Sequence, residues 1–220
     1  MRLKTHLIES ADIEYIVDNI KKKCGPFFKS AGPNGDFLFR GSRRSSVSDK
    51  RTVIKIIPRT DRRPLDTDLS LHEYLDELFK KYHGWNARSE GVFVTANRNA
   101  AKTYGKPFIV FPIGSFKFLY NPDIKDLTTE LDLIRIHVRE DADPEARRDN
   151  PFFPRTEPIE AEVAEATEKS EKLLKLIKGY KNKDLSNAMN KEVEVMIKCK
   201  EYLMVDSYNS PLLAELEKLF

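Results

Sequence analysis

Two glutamates one residue apart, Glu192 and Glu194, lie in a run of β-branched and apolar residues. In a strand, side chains two positions apart share a face. A strand over 192–199 therefore turns both carboxylates one way and sends Val193, Val195 and Ile197 to a core. Adjacent like charges raise each other's proton affinity, which suits acid–base work or the stabilisation of a developing cation. The acidic face of an edge strand is the plain alternative.

A second segment, Phe37-Leu38-Phe39-Arg40-Gly41, ends an apolar run in an arginine and a glycine. A guanidinium fork matches phosphate or ribose oxygens, and a glycine lets a ligand approach the backbone; an ordinary strand-end ion pair explains the arginine equally. A third segment, Gly91 to Ala96, runs apolar into the hydroxyl of Thr95. Asn97 then caps a short helix that reaches Tyr104 and stops at Gly105.

In this order the three segments resemble the Arg–Ser–Glu class of mono-ADP-ribosyltransferases, the arginine-directed, toxin-like branch. Arg40-Gly41, Val94-Thr95-Ala96 and Glu192-Val193-Glu194 stand where that family has its strand-end arginine, its Ser-Thr-Ser-like motif and its Glu-x-Glu. The similarity spans roughly residues 36–206. Gly91 to Tyr120 further resembles small phage-encoded members; with no targeting signal or membrane span legible, a cytoplasmic location is expected, in the host cytoplasm if phage-encoded. The implied fold is α+β, with split antiparallel β-sheets flanked by helices. The implied activity uses NAD as substrate and transfers ADP-ribose to a macromolecule, releasing nicotinamide.

By resemblance Glu194 stabilises the ribose cation and Glu192 serves the acceptor. Arg40 and the Gly41 backbone bind NAD, Thr95 supports the glutamate, and Phe93 or Tyr104 offers a ring to nicotinamide. A glutamate at position 192 implies protein arginine as acceptor. Of the three central-motif positions only Thr95 carries a hydroxyl; Ser89, Asn97 and Asn99 are candidates to replace the others. NAD hydrolysis, a nucleic-acid acceptor, and a degenerate NAD-fold protein that only binds or inhibits are the alternatives.

The elements that must hold these residues follow from periodicity. Helices are expected over 10–23, from Ser70 through Tyr82 with Leu71, Tyr74, Leu75, Leu78, Phe79 and Tyr82 as the apolar stripe, over 126–138, over 160–177 and near 212–219. Gly25-Pro26 should end the first. Strands are expected at 37–39, 52–57, 91–95, 107–112, 116–120, 192–199 and 202–205. A single domain over 1–220 results, with a helical insertion at about 121–190, a polar, serine-rich loop at 42–50 and a proline-rich, charged loop at 141–158.

The chain has 220 residues, 40% apolar and 33% charged, and a formal net charge of +3, which neither requires nor excludes nucleic acid. Arg59, Arg62 and Arg63 form a cluster that reads either as a solvated basic loop or as a contact to a second phosphate or an acceptor. With Arg43, Arg44 and Arg88 it would make a nucleic-acid track, and Trp85 either stacks a base or anchors packing. Cys24 and Cys199 read as reduced thiols. His6, His72, His83 and His137 show no ligand spacing, so no metal is expected. No run is long enough to span a bilayer, and residues 1–10 hold no long apolar stretch, so the expectation is a soluble protein without membrane partners.

Overall fold

A computed structural model describes residues 10–33, 36–43, 52–62, 69–131 and 170–220. Arg44, Arg63, His6, His137, the Asn34-Gly35 turn, most of the 42–50 loop, the 141–158 loop and the inner ends of the two insertion helices lie outside the described residues.

The architecture is α+β: one antiparallel seven-stranded sheet flanked by helices. The strands are β1 (Phe39–Ser42), β2 (Val53–Ile56), β3 (Val92–Thr95), β4 (Lys106–Pro112), β5 (Phe116–Tyr120), β6 (Glu194–Cys199) and β7 (Tyr202–Asp206). Their order is β2-β7-β4-β1-β3-β6-β5, so the strands join in one sheet rather than two. The join is thin. β1 and β4 share four register pairs, and β3 and β6 share four, whereas β1 and β3 meet only at Phe39 with Thr95. A four-strand half and a three-strand half are therefore connected through one rung.

The chain passes between the halves at β4 to β5 and at β6 to β7, and among the described residues β5 and β6 are the only consecutive strands that pair. Gly114, at φ 66°, turns the chain between β4 and β5, and Phe116 to Tyr120 pairs along β6 through Cys199 to Val195. β6 continues into β7, which pairs with β2 and β4.

Helices cover both faces. On one face α1 (Ser10–Lys23) and α2 (Gly25–Ala31) pack with α8 (Leu185–Asn190) and α9 (Ser210–Glu217) on Leu38, Val92, Val94, Phe111, Val195 and Ile197. Ile20 is buried, while Ile13, Ile16 and Val17 border the same core, as their spacing predicts. α1 ends at Lys23, ahead of Gly25-Pro26 as expected, but a second helix, α2, follows at once. The break is one residue, Cys24, and Pro26 sits in the first turn of α2, where its missing N–H costs no helical bond.

On the other face α3 (Leu69–His83), α4 (Ala87–Glu90), α6 (127–131) and α7 (170–178) bury Leu75, Leu78, Phe79, Trp85, Leu127, Ile177 and Met196. The stripe expected on α3 is corrected at one place: Tyr74 is exposed, while His72 and Asp76 are buried. Their side of α3 faces α4, whose backbone N–H groups need acceptors. Trp85 is a packing anchor, 3% exposed. α5 (Arg98–Thr103) begins at Asn97, whose side chain accepts from the Ala100 N–H. Among the described residues no helix is long and apolar enough to cross a membrane.

Candidate active site

Where β1 and β3 stop pairing, a cleft of about 1450 Å³ opens. Arg40, Gly41, Phe93, Thr95, Tyr104, Glu192 and Glu194 all line it, so residues from the three separate sequence segments converge there. A smaller pocket of about 250 Å³ adjoins it at Glu192, but its lining includes neither arginines nor Glu194. The larger cleft is the one that brings the candidate residues together.

The unpaired edge of β3 is occupied by side chains. Arg40 Nη1 donates to the Phe93 carbonyl at 3.2 Å, and Arg62 Nη1 donates to the Gly91 carbonyl at 2.7 Å. Carbonyls two residues apart point to the same strand edge, so the two guanidinium groups line it in succession. Arg62 also stacks over the Phe93 ring, 4.8 Å from its centroid, with Arg88 5.8 Å from the same ring. Burial pushes the Arg62 guanidinium down to about 10, helped by Arg40 and Arg88 and opposed by Tyr202 and Glu194. It stays charged at neutral pH, so positive charge is concentrated on this wall.

Glu194 faces the cleft from β6. Val195 and Ile197 alternate away from it into the first core, as expected, and Met196 packs in the second. Glu194 is half-buried as a residue, yet its Oε1 is buried and finds no hydrogen-bond partner among the described residues. Such an oxygen is costly to bury ionised. Burial, then Asp126, pushes the carboxyl up to about 8, against Arg88, the Leu127 N–H and Arg62.

Glu192 departs from expectation. It is not in β6 and does not alternate with Glu194. Its N–H donates to the Met189 carbonyl at 2.9 Å, and the Val193 N–H donates to the Ala188 carbonyl at 3.3 Å. These are the two bonds of a Schellman cap on α8, and they place Glu192 at φ 53°, a position that favours glycine. Its carboxylate is held at the cleft rim, accepting from Asn97 Nδ2 at 2.9 Å.

Thr95 is expected to support the catalytic glutamate, Glu194, but its hydroxyl bonds the backbone of Glu192 instead. Its hydroxyl donates to the Glu192 carbonyl at 3.3 Å and accepts from the Asn97 N–H at 3.1 Å. Val94 and Ala96 are buried in the core, although Val94 also borders the cleft; Thr95, paired with Glu194, carries the hydroxyl there. Of the proposed replacements, Ser89 donates to Asp76 and Asn97 is committed to Glu192 and the α5 cap. Asn99 is exposed on α5.

Gly41 has a packing reason to be glycine. A Cβ there would lie 2.1 Å from the Ala101 carbonyl oxygen and 2.8 Å from Tyr104 Cβ. Tyr104 itself is 56% exposed at the rim, whereas the Phe93 ring is already covered by Arg62.

Sequence reasoning missed a buried polar network behind the cleft. Asp76 accepts from the N–H groups of Arg88, at 2.8 Å, and Ser89, at 3.1 Å, and from the Ser89 hydroxyl. His72 Nε2 lies 3.0 Å from Ser89 Oγ and 3.6 Å from Asp76 Oδ2. Serine, histidine and aspartate together suggest a nucleophilic triad, but one ring nitrogen faces both partners and the serine gives its proton to the aspartate. The network instead caps α4 from α3 and thereby sets Arg88. The only sequence signal was a histidine and an aspartate four apart on an amphipathic helix. With Arg88 7% exposed, the expected nucleic-acid track loses a member. Arg59 is exposed and paired with Asp61 at 3.1 Å, the solvated reading. Cys24 and Cys199 are free thiols, each pushed by burial up to about 12.

No protein-family model, no curated protein and no solved structure matches this chain.

Proposed function

We propose that the protein is an NAD-dependent mono-ADP-ribosyltransferase that acts on a macromolecule, with protein arginine as the acceptor. One observation carries this reading: Arg40 and Glu194, far apart in sequence, line one cleft at the one-rung seam of the sheet. The thin join gives coarse support to the split-sheet resemblance.

In this reading Arg40 and Arg62 hold the diphosphate, with the nicotinamide riboside directed to Glu194. The bond between ribose C1′ and the nicotinamide nitrogen breaks, and its electron pair leaves with neutral nicotinamide. The ribose carries the positive charge, which the Glu194 carboxylate stabilises at close range. An acceptor guanidinium nitrogen then bonds to C1′, and its proton passes to Glu192 at the rim. Because Glu192 is held by Asn97 and the α8 cap rather than by β6, it can serve the acceptor separately from Glu194.

The test is incubation of the protein with NAD labelled in the adenosine half, together with cell extract. Label on protein that hydroxylamine releases, as expected for arginine linkage, supports the reading. Free ADP-ribose alone makes the protein a hydrolase, label on nucleic acid changes the acceptor, and tight NAD binding without turnover makes it a binding module.

A further inference from the structure

The cleft holds charges of both signs. Arg40, Arg62 and Arg88 line it together with Glu194 and Asp126, and Lys125 lines it beside Asp126. Asp126 does not belong to any of the three sequence segments. The fold nonetheless sets it beside Glu194, because its chain neighbours Lys125 and Leu127 flank that residue. The Lys125 carbonyl accepts the Glu194 N–H at 2.9 Å, and the Leu127 N–H faces the Glu194 carboxyl. Asp126 also caps α6, its Oδ1 accepting from the Thr129 N–H at 3.0 Å.

We propose, resting on the dinucleotide reading above, that Asp126 is a specificity-determining residue: its charge favours a ligand whose ring is a pyridinium cation over the same ligand with a neutral ring. The insertion thereby completes the substrate site through its first turn. The groups facing Glu194 are Asp126 and the Leu127 N–H from the insertion, Arg88 from α4, Arg62 from the segment after β2, and the buried phenol of Tyr180 after α7. Asp126 is the carboxylate among them. Without it the two arginines would leave the ring subsite net positive once Glu194 is protonated, and a cationic ring would be repelled.

The test compares carba-NAD, a pyridinium dinucleotide that resists cleavage, with NADH by calorimetry at pH 7 on the full chain. The wild type is expected to prefer carba-NAD. Asp126→Asn keeps a good helix cap and should lower that preference on the order of tenfold, the scale of one nearby charge in a partly buried site, leaving NADH affinity unchanged. Asp126→Ser, a second capping residue, should behave alike, and matched melting curves exclude unfolding. An unaltered preference in both variants overturns the inference, as does a loss of affinity equal for both ligands. Cation selectivity that depends on Asp126 without any nicotinamide release from NAD refutes the proposed activity alone. Release of nicotinamide with selectivity indifferent to Asp126 refutes this inference alone.

Discussion

The Arg40 guanidinium donates to the Phe93 carbonyl at 3.2 Å, in the gap where β1 and β3 no longer pair. The arginine therefore closes an open strand edge as well as facing the cleft. Replacing Arg40 by Ala leaves that carbonyl without its charged donor, at a cost of about 1–3 kcal/mol. Urea denaturation should read this loss, and calorimetry should show NAD binding weakened tenfold or more. Unchanged stability would mean the bond contributes nothing to the seam.

Glu192 sets strain against function. At a Schellman C′ position glycine relieves the left-handed penalty, about 1 kcal/mol. Glu192→Gly should thus be at least as stable as the wild type in a thermal melt, yet transfer ADP-ribose to protein more slowly. Glu192→Ala should reduce transfer more than hydrolysis of NAD. Equal loss of both activities would remove Glu192 from the acceptor side.

The raised Glu194 carboxyl has opposite consequences for stability and rate. Between its ordinary value of 4.5 and about 8 the folded state holds a proton that the unfolded chain has released. Stability contributed at this site therefore falls as pH rises through that window. In the proposed reaction the carboxylate is the form that stabilises the ribose cation, so kcat/KM for NAD should rise with pH and level off above about 8. Glu194→Gln should flatten the stability profile relative to the wild type. A rate profile that levels off near pH 5 would show that burial does not control this group.

Gly41 tests packing separately from ligand binding. A Cβ 2.1 Å from the Ala101 carbonyl oxygen cannot be accommodated unless α5 shifts from β1. Gly41→Ala should cost about 1–3 kcal/mol, the scale of overpacking, measurable by denaturation with no ligand present. A neutral substitution would show that α5 yields easily.

Much of the frame was legible because local rules and tertiary context agree. Asn97 caps α5, Gly114 turns β4 into β5, and Val195 and Ile197 alternate into the core. Glu192 was misread because strand alternation takes no account of the helix before it, whose C-cap binds Val193 and Glu192 first. Asp76 and His72 were hidden because helical spacing identifies apolar faces, whereas their burial answers the orphan N–H groups of a four-residue helix. Arg62 was legible as one of a basic cluster with a phosphate contact among its readings, and Asp126 as the start of a helix. What local pattern does not carry is their placement: Arg62 on a strand edge left open by a missing rung, and Asp126 beside Glu194, whose N–H binds the Lys125 carbonyl.

The most direct measurement is the rate of nicotinamide release from NAD by the wild-type protein and by Glu194→Gln at pH 8, with NAD affinity measured in parallel. The wild type should release nicotinamide well above the uncatalysed rate, and the variant roughly 10²-fold more slowly while still binding NAD. Equal rates in the two proteins, or no release by the wild type, would contradict the account.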